Sequence, residues 1–186
     1  RGMQREVINV GTGLVQERHT SDFWVFEGVD KRDYAVSGTW GADGTTYFWD
    51  VTDPAQIRKI DSIQVDARTV NDVKVSEDGR ISVISREGAS SRRNGIVIID
   101  TTNPYDVNII SEYTTNLTGG VHNVFIYQDH VFALSNGERF YVINIEDPKN
   151  PYEVGMFEIG EKGQAIHDVW IEDGIAYSSN WKHGVY

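Results

Sequence analysis

With 186 residues, 39% of them hydrophobic, the chain can bury a sizeable core as a single domain. A formal charge of −11 argues against nucleic acid as a partner and against tight adhesion to an anionic membrane, because phosphate binding needs a basic surface that releases counterions. Cysteine is absent, which removes disulfides, thiolate metal sites and cysteine nucleophiles, and no apolar run approaches the roughly 20 residues that cross a bilayer as a helix.

In chain order, residues 1–21 form an amino-terminal segment whose two short apolar runs, Val7-Ile8-Asn9-Val10 and Leu14-Val15, offer a strand that would complete a neighbouring blade if the ring closed with four. A motif then recurs four times: a polar residue, Asp or Asn, and an apolar-any-apolar triplet. Its copies are Ser21-Asp22-Phe23-Trp24-Val25, Asn71-Asp72-Val73-Lys74-Val75, His122-Asn123-Val124-Phe125-Ile126 and His167-Asp168-Val169-Trp170-Ile171. The acidic or amide members are 50, 51 and 45 residues apart, so one structural unit is reused about every 48 residues. A second anchor keeps step with the first. In Phe48-Trp49-Asp50-Val51-Thr52-Asp53-Pro54, Ile98-Ile99-Asp100-Thr101-Thr102-Asn103-Pro104 and Val142-Ile143-Asn144-Ile145-Glu146-Asp147-Pro148, an Asp or Asn lies four residues before Pro and another lies next to it.

Between the anchors the pattern is strand, turn, strand. Asp78-Gly79 and Asp173-Gly174 are strong hairpin signals between apolar runs, and Gln128-Asp129 takes the same place in the third unit. After each Pro a further alternating run follows, such as Ile57-Arg58-Lys59-Ile60 or Tyr152-Glu153-Val154-Gly155-Met156. Each unit therefore supplies four short strands, and no capped helix start is evident. Four antiparallel strands per 40–50 residues describe a propeller blade, whose two sheet faces are buried only by neighbouring blades. The expected fold is an all-β propeller with units at 22–71, 72–122 and 123–167 and an incomplete unit at 168–186. Trp24, Tyr47, Trp49, Phe125, Phe140 and Trp170 are the expected inter-blade aromatics.

These anchors resemble LVIVD repeats, in which an apolar strand is followed by Asp and then an Asp-Pro pair. The likeness covers residues 21–186 and is closest from His122 through Val154 and from His167 through Tyr177. The first unit departs from it, with Trp49 in the apolar strand. The resemblance implies an exported bacterial or archaeal protein, periplasmic or on the cell surface. Since such relatives are longer, the three blades and part of a fourth are expected to belong to a larger ring. The chain begins at Arg1, and an upstream leader is expected in the encoded precursor.

The first anchor is the expected start of each innermost strand. That places Asp22, Asn71, Asp72, His122, Asn123, His167 and Asp168 at one mouth of the central channel, with His19 just upstream. Converging His and carboxylate groups suit a polar ligand, and His122, His167 and Asp168 are the candidates for a metal. No metal or cofactor is predicted, because the other copies carry Ser21 and Asn71 instead of His and the set is not repeated. Asp50, Asp100 and Asn144 are expected to accept bonds from their own turns. Residues 86–95 form an arginine-rich segment in which Arg86, Arg92 and Arg93 are candidates for docking a carboxylate-rich partner. There is no nucleophile elbow, phosphate loop, zinc-binding helix or dinucleotide fingerprint. The expectation is a non-enzymatic scaffold or accessory subunit binding protein partners in a membrane-associated complex. The alternative is a metal-dependent hydrolase or lyase at the channel mouth.

Overall fold

The computed structural model describes residues 5–9, 15–160 and 165–186, with residues 5–9 and 15–18 described by backbone alone. Every regular element among them is a β-strand. The first sheet contains β1 (Arg5–Asn9), β2 (Val15–Glu27), β3 (Asp33–Trp40), β4 (Thr45–Asp50) and β5 (Arg58–Gln64) in sequential order. The second contains β6 (Val73–Val75), β7 (Ile81–Arg86), β8 (Gly95–Asp100) and β9 (Asn108–Tyr113), and the third contains β10 (Val121–Tyr127), β11 (His130–Ser135), β12 (Arg139–Asn144) and β13 (Tyr152–Glu158). The fourth consists of β14 (Asp168–Glu172), β15 (Ile175–Asn180) and β16 (Gly184–Val185).

All pairings are antiparallel between consecutive strands, as four-stranded meanders require. The sheets pack side by side as propeller blades: β2 and β3 against β6, β6 and β7 against β10, and β10 and β11 against β14. Three blades are complete and the fourth has three described strands. β1 pairs with β2, from Arg5 opposite His19 to Asn9 opposite Val15, so this part of the amino-terminal segment extends the first sheet. Val10 and Leu14, which belong to the runs expected to complete a neighbouring blade, lie outside the described residues.

Strand alternation sends successive side chains to opposite faces, so each blade contributes to the cores on both sides. Val36 and Phe48 of the first blade meet Val73, Ile84, Val97 and Ile99 of the second. Val83, Ile96 and Ile98 of the second meet Val124, Val131 and Ile143 of the third. Phe125, Leu134 and Phe140 of the third meet Val169 and Ile171 of the fourth. The aromatic expectation holds for Trp24, Phe125 and Phe140; Tyr47 and Trp49 pack on each other on the face of β4 opposite Phe48, and Trp170 remains half exposed with its ring edge on Phe125.

Residues of the second anchor close the same turn three times. Asp50 accepts the N–H of Thr52 at 3.1 Å, Asp100 that of Thr102 at 2.9 Å and Asn144 that of Glu146 at 3.0 Å. The residue before each Pro does likewise, with Asp53 taking Ala55 N–H, Asn103 taking Tyr105 N–H and Asp147 taking Lys149 N–H. A side-chain oxygen here substitutes for a backbone acceptor, which is why either Asp or Asn serves.

Candidate functional site

The innermost strands β2, β6, β10 and β14 bring the first-anchor residues to one end of the molecule, in two groups. Ladder register explains the placement: Asp72 immediately precedes β6, and Asn123 lies at the register shift between Val121 and Val124 within β10.

The first group centres on Asp72, which is 1% exposed. Its Oδ1 accepts the N–H of Val73 and meets the Lys74 ammonium, while its Oδ2 accepts the N–H of Val124 on the next blade at 2.8 Å. Lys74 Nζ also reaches Asp22 Oδ2 at 2.9 Å and lies 5.0 Å from the centre of the Trp24 ring. Burial pushes the Asp72 carboxyl well above its usual range, with the adjoining Asp22 adding to the shift and Lys74 opposing it. Burial also acts on Asp22, but its bonds to Asp72 and Lys74 outweigh it and hold this carboxyl below the ordinary value. The result is one ammonium clamped between carboxyls from two blades.

The second group joins His122, His167, Asn71 and Glu87. Asn71 Nδ2 donates to the carbonyl of His122 at 2.9 Å, tying the second blade to the third. His122 Nδ1 lies 3.1 Å from Glu87 Oε1, and its ring meets that of His167 edge to face at 5.3 Å. His167 in turn packs against Trp181 at 4.6 Å. The bond from Glu87 raises the His122 pKa; partial burial opposes this, and the charges of Glu87 and Asp168 support it. Asp168 caps its own strand by accepting the N–H of Val169 at 2.8 Å. Asn123 is separate from both groups, and its Oδ1 is buried without a partner among the described residues. His19 packs against Trp40 instead of joining the mouth groups.

Of the seven predicted mouth residues, Asp22 and Asp72 join the ion cluster, Asn71, His122 and His167 form the second group with the Asp168 charge beside it, and Asn123 joins neither. Two contributors escaped sequence reasoning. Lys74 sits at the "any" position of its motif, and Glu87 follows β7 in an isolated bridge to Thr69; only the fold brings either to the axis. Among the described residues, no three His, Asp or Glu side chains are arranged to hold a metal ion.

The arginine segment needs correction. Arg86 is not on the loop: it ends β7, is 3% exposed and donates from Nη1 to Glu112 at 2.9 Å. Its position opposite Gly95, on the face shared with Ile84, draws it into the seam between the first two blades. Arg92 and Arg93 are exposed on the loop at 87–94. That loop already receives a carboxylate, since Asp66 accepts Ser90 N–H, Ser91 N–H and the Ser91 hydroxyl, bonds that hold its pKa well below the usual range.

No protein-family model matches the chain, and no curated protein matches it. Among solved structures, a hypothetical selenium-binding protein from Sulfolobus tokodaii superposes with a TM-score of 0.68 at 15% identity, covering 87% of this chain and 46% of its own. Raptor from Chaetomium thermophilum superposes with a TM-score of 0.66 at 12% identity over 88% of this chain and 15% of its own. At such identities the likeness is one of fold. This chain spans less than half the length of either protein.

Proposed function

We infer that the chain is a non-enzymatic module of an exported propeller, periplasmic or at the cell surface, acting as a protein-interaction scaffold or accessory subunit of a membrane-associated envelope assembly. The observation that carries this reading is the use made of the axial carboxylate. Asp72 spends its oxygens on Val73 and Lys74 of its own blade and on Val124 of the next, while Lys74 reaches back to Asp22 of the first blade, so this Asp serves architecture and leaves recognition to the surface. The resemblance to LVIVD repeats supports export and a larger ring.

The test is cross-linking of the full-length protein in its own cells, followed by fractionation and mass spectrometry. Recovery with the envelope fraction and a defined protein partner, retained in His122→Ala and His167→Ala, is expected. Recovery in the cytoplasm without a partner overturns the reading. The second reading, a metal-dependent hydrolase or lyase, is favoured by the His122–His167 pair beside Glu87. It requires stoichiometric metal in the purified protein, lost in both alanine variants.

A further inference from the structure

At the end of the propeller opposite the imidazole pair, two neighbouring seams are built from equivalent positions yet differ. Between the first and second blades the space is filled. Tyr34 is buried against Phe26, and Tyr105 of the second blade reaches back to meet the Tyr34 ring at 6.2 Å and to donate to Asp50 at 2.7 Å. Between the second and third blades the counterparts of Phe26, Tyr34 and Tyr105 are Ser76, Ile81 and Lys149, and a cavity of about 740 Å³ opens there. That volume lies within the roughly 300–1,000 Å³ of small-ligand pockets.

The cavity has a chemical polarity. Ile81, Ile110, Ile126 and Ile145 line it with aliphatic surface. Around them stand Glu77, Asp100, Asp129 and Glu146, none of which has an ion-pair partner among the described residues. Of the two lining cations, Arg80 is engaged with Asp78 at 3.5 Å, and Lys149 remains as the single positive group facing four carboxylates. The walls are held by bonds other than those a ligand would use: Ser76 Oγ bonds Asp78 and the N–H of Ile81, and Ser111 Oγ donates to the carbonyl of Pro148 across the seam at 2.6 Å. An apolar floor under an unpaired acidic rim complements a cationic chain with an apolar side chain.

We propose that this inter-blade cavity binds an extended peptide segment that places one apolar side chain on the isoleucine floor and flanking Lys or Arg side chains on the acidic rim. The proposal rests on the scaffold reading and names its partner's chemistry. Rim pairing is solvent-accessible and weakens with salt, whereas floor burial does not.

The experiment is fluorescence anisotropy with labelled acetyl-Gly-Lys-X-Lys-Gly-amide peptides, X being leucine, phenylalanine or tryptophan, against glutamate-flanked counterparts and spermine. At least one lysine peptide is expected to bind at least tenfold more tightly than its glutamate counterpart. Ile81→Trp, which refills the cavity, is expected to weaken it at least tenfold. Glu77→Gln combined with Asp129→Asn and Glu146→Gln, all at exposed positions, is expected to weaken it similarly while leaving the urea midpoint in place. No preference for lysine flanks, equal binding by Ile81→Trp with unchanged circular dichroism, or full displacement by equimolar spermine each overturns the proposal. If the peptide binds but cells yield no protein partner, the scaffold reading fails and the cavity stands. If a captured partner is indifferent to Ile81→Trp, the cavity assignment fails and the scaffold stands.

Discussion

Asp50 and Asp100 hold the same place in successive blades and close the same turn, yet their second oxygens face different surroundings. Asp50 is 2% exposed and its Oδ2 takes Arg32 at 2.7 Å, Arg58 at 3.0 Å and the Tyr105 hydroxyl at 2.7 Å. Asp100 is exposed and keeps only its turn bond to Thr102 among the described residues. A repeat therefore constrains one oxygen and leaves the other to the neighbours. The first seam uses that freedom for an ion network that seals it, and the second leaves a cavity.

The largest test of this contrast lies at the shared, mouth end of both seams. Asp72→Ala removes the acceptor of the Val73 and Val124 N–H groups and leaves the Lys74 ammonium with Asp22 alone, and should cost about 3–5 kcal/mol by urea unfolding, since each buried donor left unpaired costs about 1–3 kcal/mol. A loss below about 1 kcal/mol would mean that the blades are not tied there.

Next comes the paired comparison at the turn end. Asp50→Ala should cost roughly 2–3 kcal/mol, because three charged or hydroxyl donors lose their acceptor, with the exposed arginines recovering part of this through hydration. Asp100→Ala should cost only about 0.5–1 kcal/mol, the worth of one turn bond. Equal losses would erase the distinction between the seams.

Acid sharpens the same point. The Tyr105 hydroxyl, the Thr52 bonds and Arg58 hold the Asp50 carboxyl below the usual carboxylate range. A carboxyl depressed in the folded state contributes stability that is fully present above about pH 4 and is lost as pH falls through its folded value. The parent chain should therefore lose stability below pH 4 more steeply than Asp50→Asn.

The smallest effect concerns the mouth. Glu87→Gln should lower the His122 pKa in an NMR titration of the imidazole, because the Glu87 bond is the main cause of its elevation. With a raised histidine pKa the sign reverses: the stabilisation is complete below about pH 6.5 and disappears as pH rises through the folded value. An unchanged titration would sever Glu87 from the imidazole pair.

The repeat, the hairpins and the Asp/Asn turns were readable because each is a local pattern: a period, an Asp-Gly, or a side chain bonding its own backbone two residues on. The seams were not, because their chemistry joins blades. Tyr105 reads as a surface residue after a Pro until the fold sets it beside Asp50, 55 residues earlier. Arg86 reads as loop charge because polar residues follow it, although β7 runs on to include it. Lys74 and Glu87 carry no motif of their own, so the mouth was legible as a place and not as two separate groups.

The outermost strands hold one further lesson. β5, β9 and β13 are the sheet edges, and in each the pairing shifts by one residue, leaving Ile60, Ile110 and Val154 without a partner across the ladder. Such irregularity adds local twist and interrupts the straight row of free N–H and C=O groups that an edge would otherwise offer to another chain. The same slip recurring blade after blade acts as protection against aggregation, written into the repeat itself.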